Sequence, residues 1–236
     1  MPTDKPWLWR EARLKDFDNN QLNHLLYRKK KTKSTLENKR IKNGIQNKEL
    51  YLKIKSMPST LPIILLETQK FVFDPCGLEL TNPVIEKESK DYDAYQFELN
   101  ALKILFRVAK TTPTKVGQFV TLWKRMGKGS IQPFDLSDDI DLFIINTKSG
   151  GDFGQFVFPK SVLCQQGILT TDLKEGKRAI RVYPPWDITT NKQAQKTQKW
   201  QLDYFLEIPL DKSIDLDWAK LLYSQEINQP HLSNFK

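Results

Sequence analysis

The sequence predicts an α+β domain with a mostly antiparallel central sheet flanked by helices. Three observations lead there. Apolar residues recur at period two from Tyr95 to Val182, with turn residues between the runs. They recur at three- and four-residue spacing on either side of that region. The formal charge of +9 is not spread evenly: positions 1–56 hold 15 Lys plus Arg against 6 Asp plus Glu, leaving 22 of each for positions 57–236. The chain therefore divides into a basic N-terminal extension, 1–56, helical or poorly packed, and an α+β domain, 57–236.

The extension offers a helix at Asn20 to Arg28, with Leu22, Leu25 and Leu26 on one face, before the basic run RKKKTK. A helix is predicted from Ser59 to Val72, opened by capping residues Ser59 and Thr60 and stopped by Pro75 and Gly77. Tyr95, Phe97 and Leu99 then alternate with Gln96 and Glu98, Asn100 supplies a turn, and Ile104, Phe106 and Val108 continue the alternation, which reads as a hairpin with one wetter face. A third strand, VGQFVTLWKR, follows the TTPT turn. The fourth and fifth, DLFIINT and DFGQFVFP, meet at a Lys-Ser-Gly-Gly-Asp turn. KSVLCQQG is a short helix, and RAIRV a sixth strand ended by Pro184 and Pro185. Helices at Ala194 to Tyr204 and after the capping Asp215 complete the domain.

Two cysteines, Cys76 and Cys164, lack the number and spacing of a disulfide framework or zinc site and suit a reducing cytosol. The longest apolar run, Leu61 to Leu66, is too short to cross a bilayer, and no signal peptide is legible, so a cytoplasmic protein that binds no membrane is expected.

The most informative stretch is FRVAKTTPTKVGQFVTLWKR. No Asp or Glu occurs from Leu99 to Phe134, while Lys and Arg together occur seven times. Arg107, Lys110, Lys115 and Gln118, with the hydroxyls of Thr111, Thr112 and Thr114, are expected to converge at one end of the sheet. Cations with hydroxyl donors suit phosphate oxygens; the competing reading is a solvated loop that keeps an edge strand from aggregating. Lys177, Arg178 and Arg181 form a second basic set, beside which Tyr183 and Trp186 either stack on bases or, as is commoner for such aromatics, pack against the proline turn. Lys192, Lys196 and Lys199 lie on the following helix.

A magnesium-dependent nuclease would need clustered carboxylates and a lysine near the attacking water. The candidates are Glu88, Glu98 and Asp141, with Lys90 or Lys110, but the Glu88-Ser-Lys90 pattern precedes the sheet and Asp138, Asp139 and Asp141 are better read as a turn and cap. No metal or cofactor is expected apart from Mg²⁺ in the nuclease case.

Read together, ESKDYDAYQFELNALKILFRVAKTTPTKVGQFVTLWKR, DLFIINTKSGGDFGQFVFPKSVL and GKRAIRVYPPWD resemble the MepB family over about residues 61–222. That resemblance implies a fold similar to type II restriction endonucleases and binding of nucleic acid, DNA in the first instance. Carried over by motif, the implied binding residues are Arg107, Lys110, Thr111, Lys115, Gln118, Trp123, Lys160, Lys177, Arg178 and Arg181. Glu88, Glu98 and Asp141 are the implied remains of a metal site. No acid-x-Lys lies inside a central strand, which argues against cleavage. Residues 7–26 resemble the N-terminal leader of Fic-type proteins, without a catalytic motif. Three function classes follow: a nucleic-acid binder, a Mg²⁺-dependent nuclease, and a module for a small anionic ligand or a partner.

Overall fold

The computed structural model describes residues 42, 44–54, 61–86, 91–125, 127, 129–209 and 213–224. The first helix, α1, covers 44–54. Helix α2, Ile63–Thr68, continues through a π-helical turn at Gln69–Phe73 and a last turn at Asp74–Cys76, closed by Gly77 in the left-handed conformation. The helix thus starts later and ends later than the apolar spacing predicts; Ser59 and Thr60 lie outside the described residues.

Six strands form the central sheet in the order β1-β2-β3-β8-β9-β11. They are β1 Leu80–Ile85, β2 Tyr95–Leu99, β3 Leu102–Val108, β8 Leu142–Ser149, β9 Asp152–Pro159 and β11 Phe205–Glu207. Every neighbouring pair is antiparallel except β3 and β8. The two hairpins close at tight turns, Asn100 at φ 53 between β2 and β3 and Gly150 at φ 57 between β8 and β9.

The chain between β3 and β8 makes two smaller sheets. β4 Lys110–Thr112 and β5 Lys115–Thr121 pair with β10 Ala179–Val182 in the order β10-β5-β4, and β6 Trp123–Arg125 pairs with β7 Ile131–Pro133. The strands the sequence assigns third and sixth therefore lie outside the central sheet. Helices α3 Lys160–Gln165, α4 Lys192–Leu202 and α5 Leu216–Tyr223 complete the described elements.

Both faces of the central sheet are covered. One packs Phe97, Ile104, Phe106, Ile144 and Val157 against α2 and α5, with Phe73, Phe97 and Tyr223 in ring contact. The other packs Leu105, Phe143, Ile145, Phe156 and Phe158 against Val120, Ile180 and Val182 of the three-stranded sheet. Each of these fully buried side chains contributes about 1.5–3 kcal/mol of transfer free energy. Residues 44–54, which the sequence places in the extension, join the first core through Leu50, Tyr51 and Ile54, so the packed body starts before position 57. Among the described residues no helix is long and apolar enough to cross a membrane.

Double coverage decides the fate of Arg107. On a strand with one wet face its guanidinium would reach solvent. Here it is 0% exposed. Its Nη2 pairs with Glu86, Nη1 donates to the Phe106 carbonyl, and the guanidinium carbon lies 6.0 Å from the centre of the Phe134 ring. The expected position in a basic surface cluster is corrected to a buried ion pair.

Candidate functional site

The outward face of the three-stranded sheet carries an alternating row of cations and aromatics. Register places Arg181 of β10 and Lys110 of β4 on either side of Phe119 of β5. The Arg181 guanidinium lies 5.7 Å from the Phe119 ring centre; Lys110 Nζ lies 4.9 Å from that of Tyr92, which contacts Phe119 at 6.4 Å. Phe119 and Tyr92 are half-buried, and Lys110 and Lys115 are exposed. Contacts of this kind are worth about 0.5–1 kcal/mol at an exposed site, so they set positions more than stability.

Arg181 also fastens the turn between β4 and β5. Its Nη1 donates to the Gly117 carbonyl at 2.8 Å and its Nη2 to Thr112 Oγ1 at 2.8 Å. The Tyr183 ring packs on Gly117, where a Cβ would come within 2.5 Å of it. The outer edge of β10, which a strand would otherwise pair, is capped by the buried Gln201 of α4. Its amide accepts from Tyr183 N at 2.9 Å and donates to the Arg181 carbonyl at 3.0 Å.

Beside this edge, between β10 and α4, opens a cavity of about 460 Å³ lined by Lys115, Lys177, Arg181, Tyr183, Thr197 and Trp200 among others, with no carboxylate in its wall.

Three other cations are committed elsewhere. Lys124 pairs with Asp138, Lys160 Nζ donates to the Leu136 and Asp138 carbonyls, and Arg178 pairs with Glu175. Trp123 lies under Arg125 on the two-stranded sheet. Of the residues expected to bind, Lys115, Lys177 and Arg181 line the cavity together, while Lys110 stands across β5 from Arg181, with Thr111 beside it on β4. Gln118, 2% exposed, points into the interlayer core. Arg178 lines a different hollow with Lys124.

Two of the three candidate carboxylates flank Lys103, away from the cation–aromatic row. Glu98 pairs with Lys103, and Asp141 Oδ2 accepts from the Lys103 backbone N–H, both at the start of β3. Lys110 follows the other end of that strand, seven residues on, or about 20 Å at strand rise. Glu88 and Lys90 lie outside the described residues. Among the described residues no group of three or more His, Cys, Asp or Glu side chains could hold a metal. Lys103, by donating its hydrogen bond and its charge, holds the Glu98 carboxyl below the usual range, as an ion-paired carboxylate behaves.

The model of a family described as MepB-like matches residues 86–207. The chain belongs to the MepB-like family. A crystal structure of MepB is 40% identical, with a TM-score of 0.53, over 54% of this chain and 86% of that one. The MepB-like match takes in both hairpins of the central sheet, the cation–aromatic row, and all of α4. A bacterial homing endonuclease also aligns, at 16% identity and a TM-score of 0.34, over 59% of this chain and 84% of that one. No curated protein matches the chain.

The sequence misses Phe119 and Tyr92 as site residues. Phe119 reads there as one more apolar position in a strand. Its signal would have been its place on the face opposite Val120, once β10 was paired with β5 instead of being placed in the central sheet.

Proposed function

We propose that this protein binds nucleic acid, with single-stranded DNA the form that fits, through the outward face of the three-stranded sheet. One observation carries the reading: the row Arg181–Phe119–Lys110, which sets a half-buried aromatic between two cations, neither of them in an ion pair among the described residues. Ammonium and guanidinium groups take phosphates, and an aromatic face takes a base of any identity. The row crosses three strands, about 10 Å, or about three nucleotides at the 3.4 Å rise of a stacked strand. Binding of this sort is salt-dependent and weakly sequence-selective. Glu98 and Asp141 lie at the far end of β3 from the row and supply it no carboxylate for a hydrolytic step.

The test is fluorescence anisotropy of a labelled oligonucleotide with the full chain at several salt concentrations. Lys110→Ala is expected to lower affinity for every sequence and flatten the salt slope by about 0.7. Phe119→Ala is expected to lower affinity without changing the slope. Lys220→Ala, on an exposed position of α5, controls for bulk charge, and every variant retains the basic residues 1–56. If Lys110→Ala and Phe119→Ala bind like Lys220→Ala, the face is not the site.

A further inference from the structure

We infer that the cavity between β10 and α4 receives a nucleoside phosphomonoester, the phosphorylated end of a strand lying on the sheet face or a free mononucleotide. The strand-end form rests on the DNA-binding reading above; the pocket itself does not.

The wall joins positive charge to an aromatic surface. Lys115 and Lys177 line the cavity and are exposed, and neither side chain has a hydrogen bond or ion pair among the described residues. Arg181, fixed by the Gly117 carbonyl and Thr112, adds a third positive group that cannot swing away. The N-terminus of the eleven-residue helix α4 opens at the same rim. Asn191 there caps the Ala194 N–H, and the amides ahead of it remain at the helix's positive end. Trp200, packed on Phe158 at 5.3 Å, gives a rigid indole in the wall, and Thr197 and Tyr183 add hydroxyls.

That set distinguishes a phosphomonoester from a phosphodiester. An internal diester carries one negative charge, whereas a terminal monoester carries about −1.5 to −2 at neutral pH and three acceptor oxygens. Three cations from two stretches of the chain, together with a helix end, favour the second. An aromatic wall favours a base attached to it over inorganic phosphate alone. The volume is within the usual range for a small-ligand pocket of about 300–1,000 Å³. The geometry also links the pocket to the face, because Lys115, Arg181 and Tyr183 belong to both. A strand running along the row from β4 towards β10 would leave the sheet at the outer edge that Gln201 caps, where the cavity begins.

The experiment uses the full chain and two probes. Adenosine 5′-monophosphate is compared with adenosine by calorimetry, and a ten-thymidine strand with a phosphate at the 5′ end, at the 3′ end, or at neither is compared by anisotropy. A preference of about tenfold for a phosphorylated end is expected, as for one charge-assisted contact. It should be lost in Lys177→Ala and in Gln193→Trp, which fills the cavity mouth from an exposed position on α4. Equal binding of all three strands with no uptake of the mononucleotide would overturn the inference and leave the DNA-binding face standing. Uptake of the mononucleotide but of no strand would support the pocket as a free-nucleotide site and overturn the DNA reading. If neither probe binds, both fail.

Discussion

Removing Glu86 should expose how far the buried Arg107 depends on a single partner. Arg107 is 0% exposed, its Nε has no acceptor among the described residues, and Glu86 supplies its carboxylate. Burial pushes the Arg107 pKa down, with Glu86 opposing it, yet a guanidinium does not deprotonate in the accessible range. Glu86→Ala therefore strands a charge. Breaking a buried pair in this way costs about 3–5 kcal/mol. Glu86 is 20% exposed, so water partly replaces it, and the lower end, about 3 kcal/mol, is the expected value. At a urea dependence of about 2 kcal/mol per molar, the unfolding midpoint should fall by about 1.5 M. The double variant Arg107→Met with Glu86→Gln removes the charge as well and should regain most of the loss. It should also keep its oligonucleotide affinity, because Arg107 does not reach the surface. A Glu86→Ala midpoint within about 0.25 M of the parent, or a double variant no better than the single one, would refute the buried-pair account.

Three further outcomes are expected. Gly117→Ala places a Cβ 2.5 Å from Tyr183 at a backbone φ of 85°; strain and overpacking together should cost about 2–5 kcal/mol in urea unfolding, and a loss below about 1 kcal/mol would mean that Tyr183 moves aside freely. Gln201→Leu leaves the Tyr183 N–H and the Arg181 carbonyl unpaired, with an expected loss of about 2–4 kcal/mol and faster amide exchange at Tyr183, whereas unchanged exchange would show that the cap is not needed. Burial raises the Asp93 carboxyl pKa while Lys110 pulls it down. The ionised form therefore costs stability at pH 7, and that cost disappears as pH falls through the raised folded value towards the ordinary one near ~4. Asn tolerates the φ of 42° found there, so Asp93→Asn should unfold at higher urea at pH 7, with the advantage shrinking as the solution is acidified, and should bind oligonucleotide more tightly. A constant difference from pH 7 to pH 4 would assign the effect to something other than this carboxyl.

The α+β class and both hairpins of the central sheet were legible because each depends on local information. Tyr95, Phe97 and Leu99 alternate with polar residues, Asn100 and the Gly150-Gly151 pair mark turns, and Asp215 caps α5 as its side chain predicts. Strand partners were less accessible. RAIRV reads as a strand from its residues alone, but nothing within it specifies pairing with β5 in a second layer. The same limit hid the parallel contact of β3 with β8, since the intervening chain was read as more of the same sheet.

The sequence by itself determined both hairpins of the central sheet, the helices that follow Pro159, Asn191 and Asp215, and where the unneutralised cations fall along the chain; it left β1, β4, β7 and β11 unread and ran β5 and β6 together as one strand. Only the tertiary structure decided which cations face water. Stacking a second sheet on β3 buried Arg107 and Gln118, while pairing β10 with β5 brought Arg181 beside Phe119 from a position 62 residues later in the chain. Period two fixes that neighbouring residues on a strand face opposite ways. Which of the two faces is covered depends on long-range packing, and that packing determines where a charge can meet a ligand.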